Sequence, residues 1–86
     1  MKIFVKGEFI TEKIEITIFE NQSLKINKDH IFDTLKKKNI IIKTYFQIIF
    51  KNFILNDEKK ILSFYNISEQ SEIWVGRIEK FMKKFG

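Results

Sequence analysis

Few side chains in this chain are equipped to make or break bonds. There is no cysteine, so no thiolate nucleophile, disulfide or thiolate metal ligand is available. His30 is the only histidine, cannot build a His-based zinc site unaided, and reads as an exposed first-turn helix residue. Asp57 and Glu58 adjoin Lys59 and Lys60, the pattern of a solvated mixed-charge loop and not of paired carboxylates with displaced pKa values in a cleft. Ser63 and Ser71 have no histidine placed to activate them. The chain therefore reads as a non-enzyme that needs no cofactor and no metal. What remains is the chemistry of apolar surface. Phe4, Ile49 and Trp74 point outward by alternation along strand-like runs, with Phe9-Ile10 in a turn above them. A tryptophan flanked by aliphatics has the composition of an interface hot spot, and a contiguous exposed apolar patch calls for a partner. The alternative is that the Phe9 loop or the C-terminal tail folds over the patch within the same chain.

The elements that must position these residues follow from periodicity. Met1, Ile3 and Val5 alternate with Lys2, Phe4 and Lys6, and Ile14, Ile16 and Ile18 alternate with Glu15 and Thr17. Period-2 patterning on both sides of a Gly7-Glu8 turn predicts an antiparallel hairpin. Phe19–Ile26 reads as a connector. Asn27 is the expected helix N-cap, with Asp29 near the N-terminal end and Lys36, Lys37 and Lys38 near the C-terminal end, each on the favourable side of the helix dipole. Ile31 and Leu35 share a face four residues apart, and Asn39 suits the left-handed residue that ends a helix, giving about three turns. Ile40-Ile41-Ile42 leads back to a short apolar strand at Ile48–Phe50, a Lys51-Asn52 turn that needs positive φ, and a second short strand ending at Leu55. Tyr65 is placed to lock the Asn56–Lys60 loop with its hydroxyl. Ser71–Val75 is the last strand, Ile73 and Val75 inward, Glu72 and Trp74 outward.

At 86 residues the chain is one domain. No uninterrupted apolar run is long enough to span a membrane, and Met1 opens into alternating charge with no signal-peptide core, so the expected compartment is cytoplasm or nucleus. The net charge of +5 invites a nucleic-acid reading. Two facts weigh against it. Ile, Lys, Phe and Asn make up more than half of the chain, and all four have codons built only of A and T, so base composition accounts for much of the basicity. Only Arg77 among the 16 basic residues is arginine, the side chain suited to bidentate phosphate and base contacts. Nucleic acid is therefore the least favoured partner, a basic RNA-binding module being the third reading behind the two protein-binding ones, and the chain is expected to be a monomer.

Met1-x-Ile3-Phe4-Val5-Lys6 at the start and Ile49-Phe50, turn, Leu55, acidic loop and Leu62-Ser63-x-Tyr65-Asn66-Ile67 later resemble ubiquitin. The resemblance covers residues 1 to about 76. It implies an α+β ubiquitin-like β-grasp of order β-β-α-β-β-β, with one helix across a mixed sheet, and a protein that acts through protein partners, whether ubiquitin-like activating and conjugating enzymes or receptors in the ubiquitin/proteasome sphere. In that family the partner-docking patch centres on an isoleucine whose place Ile49 takes. Trp74 takes the place of the patch histidine, and Gly76 stands where a valine is usual. With Phe4, outward by alternation, and Phe9 in the turn above, Phe4, Phe9, Ile49, Trp74 and Gly76 are the candidate protein-binding patch. Lys6 and Lys38 match family lysines, but Phe53 and Glu69 replace the two lysines most used to build chains, so polymerisation of the usual kind is not expected.

Residues 77–86 form a basic tail ending in Gly86. Ubiquitin-like modifiers end in glycine, whose terminal carboxylate is activated and joined to a target lysine, and a residue without Cβ suits a narrow channel. Gly86 is therefore the candidate conjugation point. However, Ile78, Phe81, Met82 and Phe85 fall at i, i+3, i+4 and i+7, an amphipathic-helix stripe, with Glu79, Lys80, Lys83 and Lys84 opposite. On that reading Gly86 is only a helix stop, and the short helix must dock on its own sheet, on another protein, or through its basic face on an acidic membrane surface.

Overall fold

A computed structural model describes residues 1–85, with side chains as far as Lys83. The hairpin strands are β1 (Lys2–Gly7) and β2 (Ile10–Thr17), followed by helix α1 (Leu24–Lys37), strands β3 (Gln47–Phe50) and β4 (Phe53–Ile54), a 3-10 turn at Leu62–Tyr65, strand β5 (Glu72–Gly76) and helix α2 (Ile78–Phe85). The sheet order is β2-β1-β5-β3-β4. β1 and β5 run parallel at its centre and every other pair is antiparallel. This is the expected β-grasp, with a helix added after β5.

The core lies between the sheet and α1. Ile3, Val5, Ile16, Ile73 and Val75 form its strand side and Leu24, Ile31 and Leu35 its helix side, all buried. The alternation read in β1 and β5 puts these residues on one face, as expected. At Gly7 the backbone has φ +151°, and a Cβ there would sit 1.9 Å from the Val75 carbonyl oxygen of the neighbouring parallel strand. Only glycine permits so close an approach.

Asn27 is not the helix N-cap. Ser23 is, its Oγ accepting the Ile26 N–H at 3.2 Å, so the helix starts a turn earlier than expected and the connector is correspondingly shorter. Asp29 consequently lies past the first turn, which holds no acidic residue. Asn27 is fully buried inside the helix because its amide is needed elsewhere. Its Oδ1 accepts the Phe19 N–H at 2.7 Å, while Nδ2 donates to the Phe19 and Ser23 carbonyls at 2.8 and 3.0 Å. One side chain thereby pins the approach to the helix. The other end agrees with the sequence reading. Lys36 and Lys37 occupy the last turn, Asn39 has φ +62°, and its N–H and that of Ile40 return to the Lys36 and Leu35 carbonyls, a Schellman ending.

The β3–β4 turn has positive φ at both Lys51 and Asn52, as a two-residue hairpin requires. Tyr65 locks the loop as expected: its hydroxyl accepts the Asp57 N–H at 3.2 Å and donates to the Asp57 carbonyl at 3.0 Å.

Candidate functional site: the outer face of the sheet and its helical cover

On the face of the sheet away from α1, Ile49 of β3 and Trp74 of β5 stand directly opposite each other in register. They belong to an apolar cluster separate from the main core, completed by Phe81 and Ile78 of α2. The Phe81 ring meets the Trp74 indole edge-on, centroids 5.4 Å apart and planes at 64°. The expected exposure of Ile49 and Trp74 is therefore corrected: they are only 2% and 8% exposed. The physical reason is the tail stripe, which finds its apolar partner on this sheet. The stripe is narrower than expected, since Met82 stays exposed while Phe81 is buried. Phe85 and Gly86 lie outside the described side chains, so the conjugation candidate Gly86 has no described geometry.

Gly76 belongs to the same site for a reason of shape. A Cβ at Gly76 would lie 2.7 Å from Trp74 Cη2 and 2.8 Å from Trp74 Cζ3 and from Glu8 Cβ, and its φ is +154°. The indole lies along the strand over the space a side chain would fill. Trp74 and Gly76 are thus one device: the large ring needs the missing Cβ two residues on.

Two further residues complete the site, Glu8 and Arg77, and nothing in the sequence pairs them. Glu8, in the β1–β2 turn, accepts the Arg77 backbone N–H on Oε1 at 2.9 Å, and its Oε2 accepts Arg77 Nε at 2.8 Å and pairs with Nη2. Arg77 immediately precedes α2, and its carbonyl accepts the first helical N–H groups, from Lys80 and Phe81. The carboxylate therefore fixes the start of the helix where the helix dipole favours a negative charge. The Glu8 side chain is only 8% exposed. Its carboxyl is held below the usual carboxylate range by the Arg77 guanidinium hydrogen bond first, burial opposing, and then by the Arg77 backbone N–H. The lone arginine of the chain was a visible signal, but its partner lies 69 positions away.

The structure does not bring Phe4 and Phe9 to this cluster. Phe4 faces outward on β1, but Lys13 Nζ lies 4.6 Å from its ring centre. Glu72, beside it on β5, takes Lys6 at 2.9 Å and Lys13 at 3.3 Å, so that end of the face is a charged ladder. Those hydrogen bonds, Lys6 foremost, hold the Glu72 carboxyl below its usual range. Phe9 is 53% exposed at φ +66° and stacks on Phe46 of the main core, centroids 6.4 Å apart. His30 packs its ring against Phe19 at 5.1 Å. Among the described residues no group of three or more His, Cys, Asp or Glu side chains could hold a metal ion. No helix there is long and apolar enough to cross a membrane.

A five-stranded mixed sheet with one helix across it, closed by a locked loop before the last strand, is the ubiquitin-like β-grasp architecture. The chain is similar to the solution NMR structure of the ubiquitin-like domain of a protein from Arabidopsis thaliana, with a TM-score of 0.69, 25% sequence identity, and coverage of 87% of this chain and 73% of that one. No family model matches the sequence, and no curated protein matches it. The protein has a ubiquitin-like fold.

Proposed function

We propose that this protein is a non-enzymatic, non-covalent protein-interaction module of the ubiquitin-like type, whose binding face is the Ile49–Trp74 side of the sheet and whose tail occupies that face in cis. The observation that carries the reading is the second apolar cluster. The main core lies wholly on the α1 side, so Ile49 and Trp74 are not required to close it, yet they form a surface that accepts an amphipathic helix. A face that seats a helix from its own chain has the shape and polarity to seat a segment of another protein. Large aromatic anchors in a desolvated pocket are where interface energy concentrates.

The helical tail also bears on conjugation through Gly86. Activating enzymes take an extended glycine terminus, and here the eight residues from Ile78 to Phe85 are wound into a helix against the sheet. That arrangement favours the interaction module over the modifier. Affinity capture with wild-type, Trp74→Ala and Gly86→Ala chains separates the two. The proposal expects non-covalent partners to be lost with Trp74→Ala and kept with Gly86→Ala. Equal recovery by both variants overturns it, and high-mass covalent adducts that vanish with Gly86→Ala would put conjugation in its place.

A further inference from the structure

An eight-residue helix has no stability of its own in water and holds its shape only while docked. Among the described residues, the docking of α2 combines an apolar and a polar contact. Phe81 and Ile78 supply the apolar contact on Trp74 and Ile49, and the Glu8 carboxylate supplies the polar one through Arg77. None of these side chains belongs to the main core cluster. The link to the sheet is a single residue pair, Gly76 and Arg77, at a backbone position with φ +154°. The seal is also incomplete. A groove of about 200 Å³ opens beside the helix, with Ile49, Trp74 and Phe81 in its walls and Lys51 at its edge. The groove marks where the cover of the two anchors is thinnest.

From this arrangement we infer that α2 is an autoinhibitory strap, hinged at Gly76–Arg77 and latched by Glu8, that swings away as a unit to uncover Ile49 and Trp74 while the sheet stays folded. The inference rests on the reading of that face as a binding surface, and it adds how access to the face is controlled. Segments with little buried apolar contact open at lower free energy than the core they lie on. The strap combines that property with a polar latch at one end, so among the described residues two separable contacts bear on its opening: the ring pair Phe81–Trp74 and the Glu8–Arg77 pair.

Trp74 is the only tryptophan, so its fluorescence reports this contact alone. The test is acrylamide quenching of Trp74 alongside amide hydrogen exchange on the full chain, for wild type, Phe81→Ala and Glu8→Gln. In wild type, α2 amides should exchange at least about tenfold faster than those of β1 and β5, and quenching should rise at least about twofold in Phe81→Ala and by a smaller factor in Glu8→Gln. The sheet and α1 amides should keep their wild-type protection in both variants. Unchanged quenching in both variants overturns the strap, and so does loss of sheet protection together with α2, which would make the helix part of the core. Glu8→Gln leaves every apolar contact in place and keeps the test decisive if Phe81→Ala does not fold. Neither readout needs a partner, so failure of the binding reading, seen as partners indifferent to Trp74→Ala, is distinct from failure of the strap.

Discussion

On one face of the sheet, α1 sets Leu24, Ile31 and Leu35 among Ile3, Val5, Ile16, Ile73 and Val75, and the buried amide of Asn27 ties its first turn to the chain that enters it. On the other, α2 sets Phe81 on Trp74 with Ile49 and Ile78 beside them, and a largely buried carboxylate from a distant turn ties the residue just before it. Both helices are thus fixed in the same two ways, by an apolar stripe and by a polar pin at the N-terminus. They differ in what depends on them. Removing α1 would expose the whole inner face of the sheet, whereas removing α2 would expose a small cluster and leave the inner core closed. The first helix is therefore required for folding, and the second is free to have a role in function.

The comparison breaks most visibly on the α1 side. Leu35→Ala should cost about 2–5 kcal/mol, because a fully buried leucine leaves a cavity that a close-packed core fills poorly. In a domain of this size that lowers the melting temperature by roughly 10 °C or more in a thermal melt followed by circular dichroism. A loss confined to a degree or two would mean that α1 is no more essential than α2. Asn27→Ala should follow at about 1–3 kcal/mol, since it removes the fully buried amide that pairs with the part-buried Phe19 N–H and carbonyl. Its signature is early exchange of amides at 19–24 in addition to a lower melting point.

On the α2 side, Gly76→Val should be unfavourable. The new side chain meets the Trp74 ring and Glu8 Cβ, at a φ that L-residues rarely adopt. The backbone part alone costs about 1–3 kcal/mol. The expected result is a displaced Trp74 with red-shifted emission, a released α2 and an intact α1 core. A variant with wild-type emission would show that the indole does not depend on the missing Cβ.

The fold was legible where one stretch of chain contains its own reason. The alternation of Ile3 and Val5 with Lys2, Phe4 and Lys6 gave the inner face, the positive-φ turn at Lys51-Asn52 gave the hairpin, and Tyr65 eight residues after Asp57 gave the loop lock. The helix start is not legible, for a related reason. Asn27 has the chemistry of a cap, but Ser23 sits where the chain enters the helix, and only the folded position of Phe19 shows what Asn27 serves instead. The site was half legible. The apolar stripe of the tail and the outward Ile49 and Trp74 were each visible, but periodicity does not say which two apolar surfaces meet. The Glu8–Arg77 latch joins positions 69 apart through a turn and a helix start, and no local pattern marks it. Alternation gives only the side of the sheet for Phe4, and the turn position of Phe9 does not say which ring it meets. Lys13 and Glu72 decide the surroundings of Phe4, and Phe46 those of Phe9.

The smallest expected effect is on pH dependence, and its sign distinguishes the two faces. No ionisable side chain belongs to the α1 core cluster, so its packing carries no titration of its own. The α2 dock does, because the Glu8 carboxyl is held below its ordinary value of 4.5 by Arg77. A group with a depressed pKa in the docked state contributes fully above 4.5 and loses that contribution as the pH falls through the lower, docked value. Trp74 quenching should therefore be flat from neutral pH down to about 4.5 and rise below it, while far-ultraviolet ellipticity from α1 and the sheet persists further into acid. In Glu8→Gln the quenching should be raised at all pH values and lose that acid step. An acid step of wild-type size in Glu8→Gln would move the titration to another carboxylate and leave the helix start held by Arg77 without help from the β1–β2 turn.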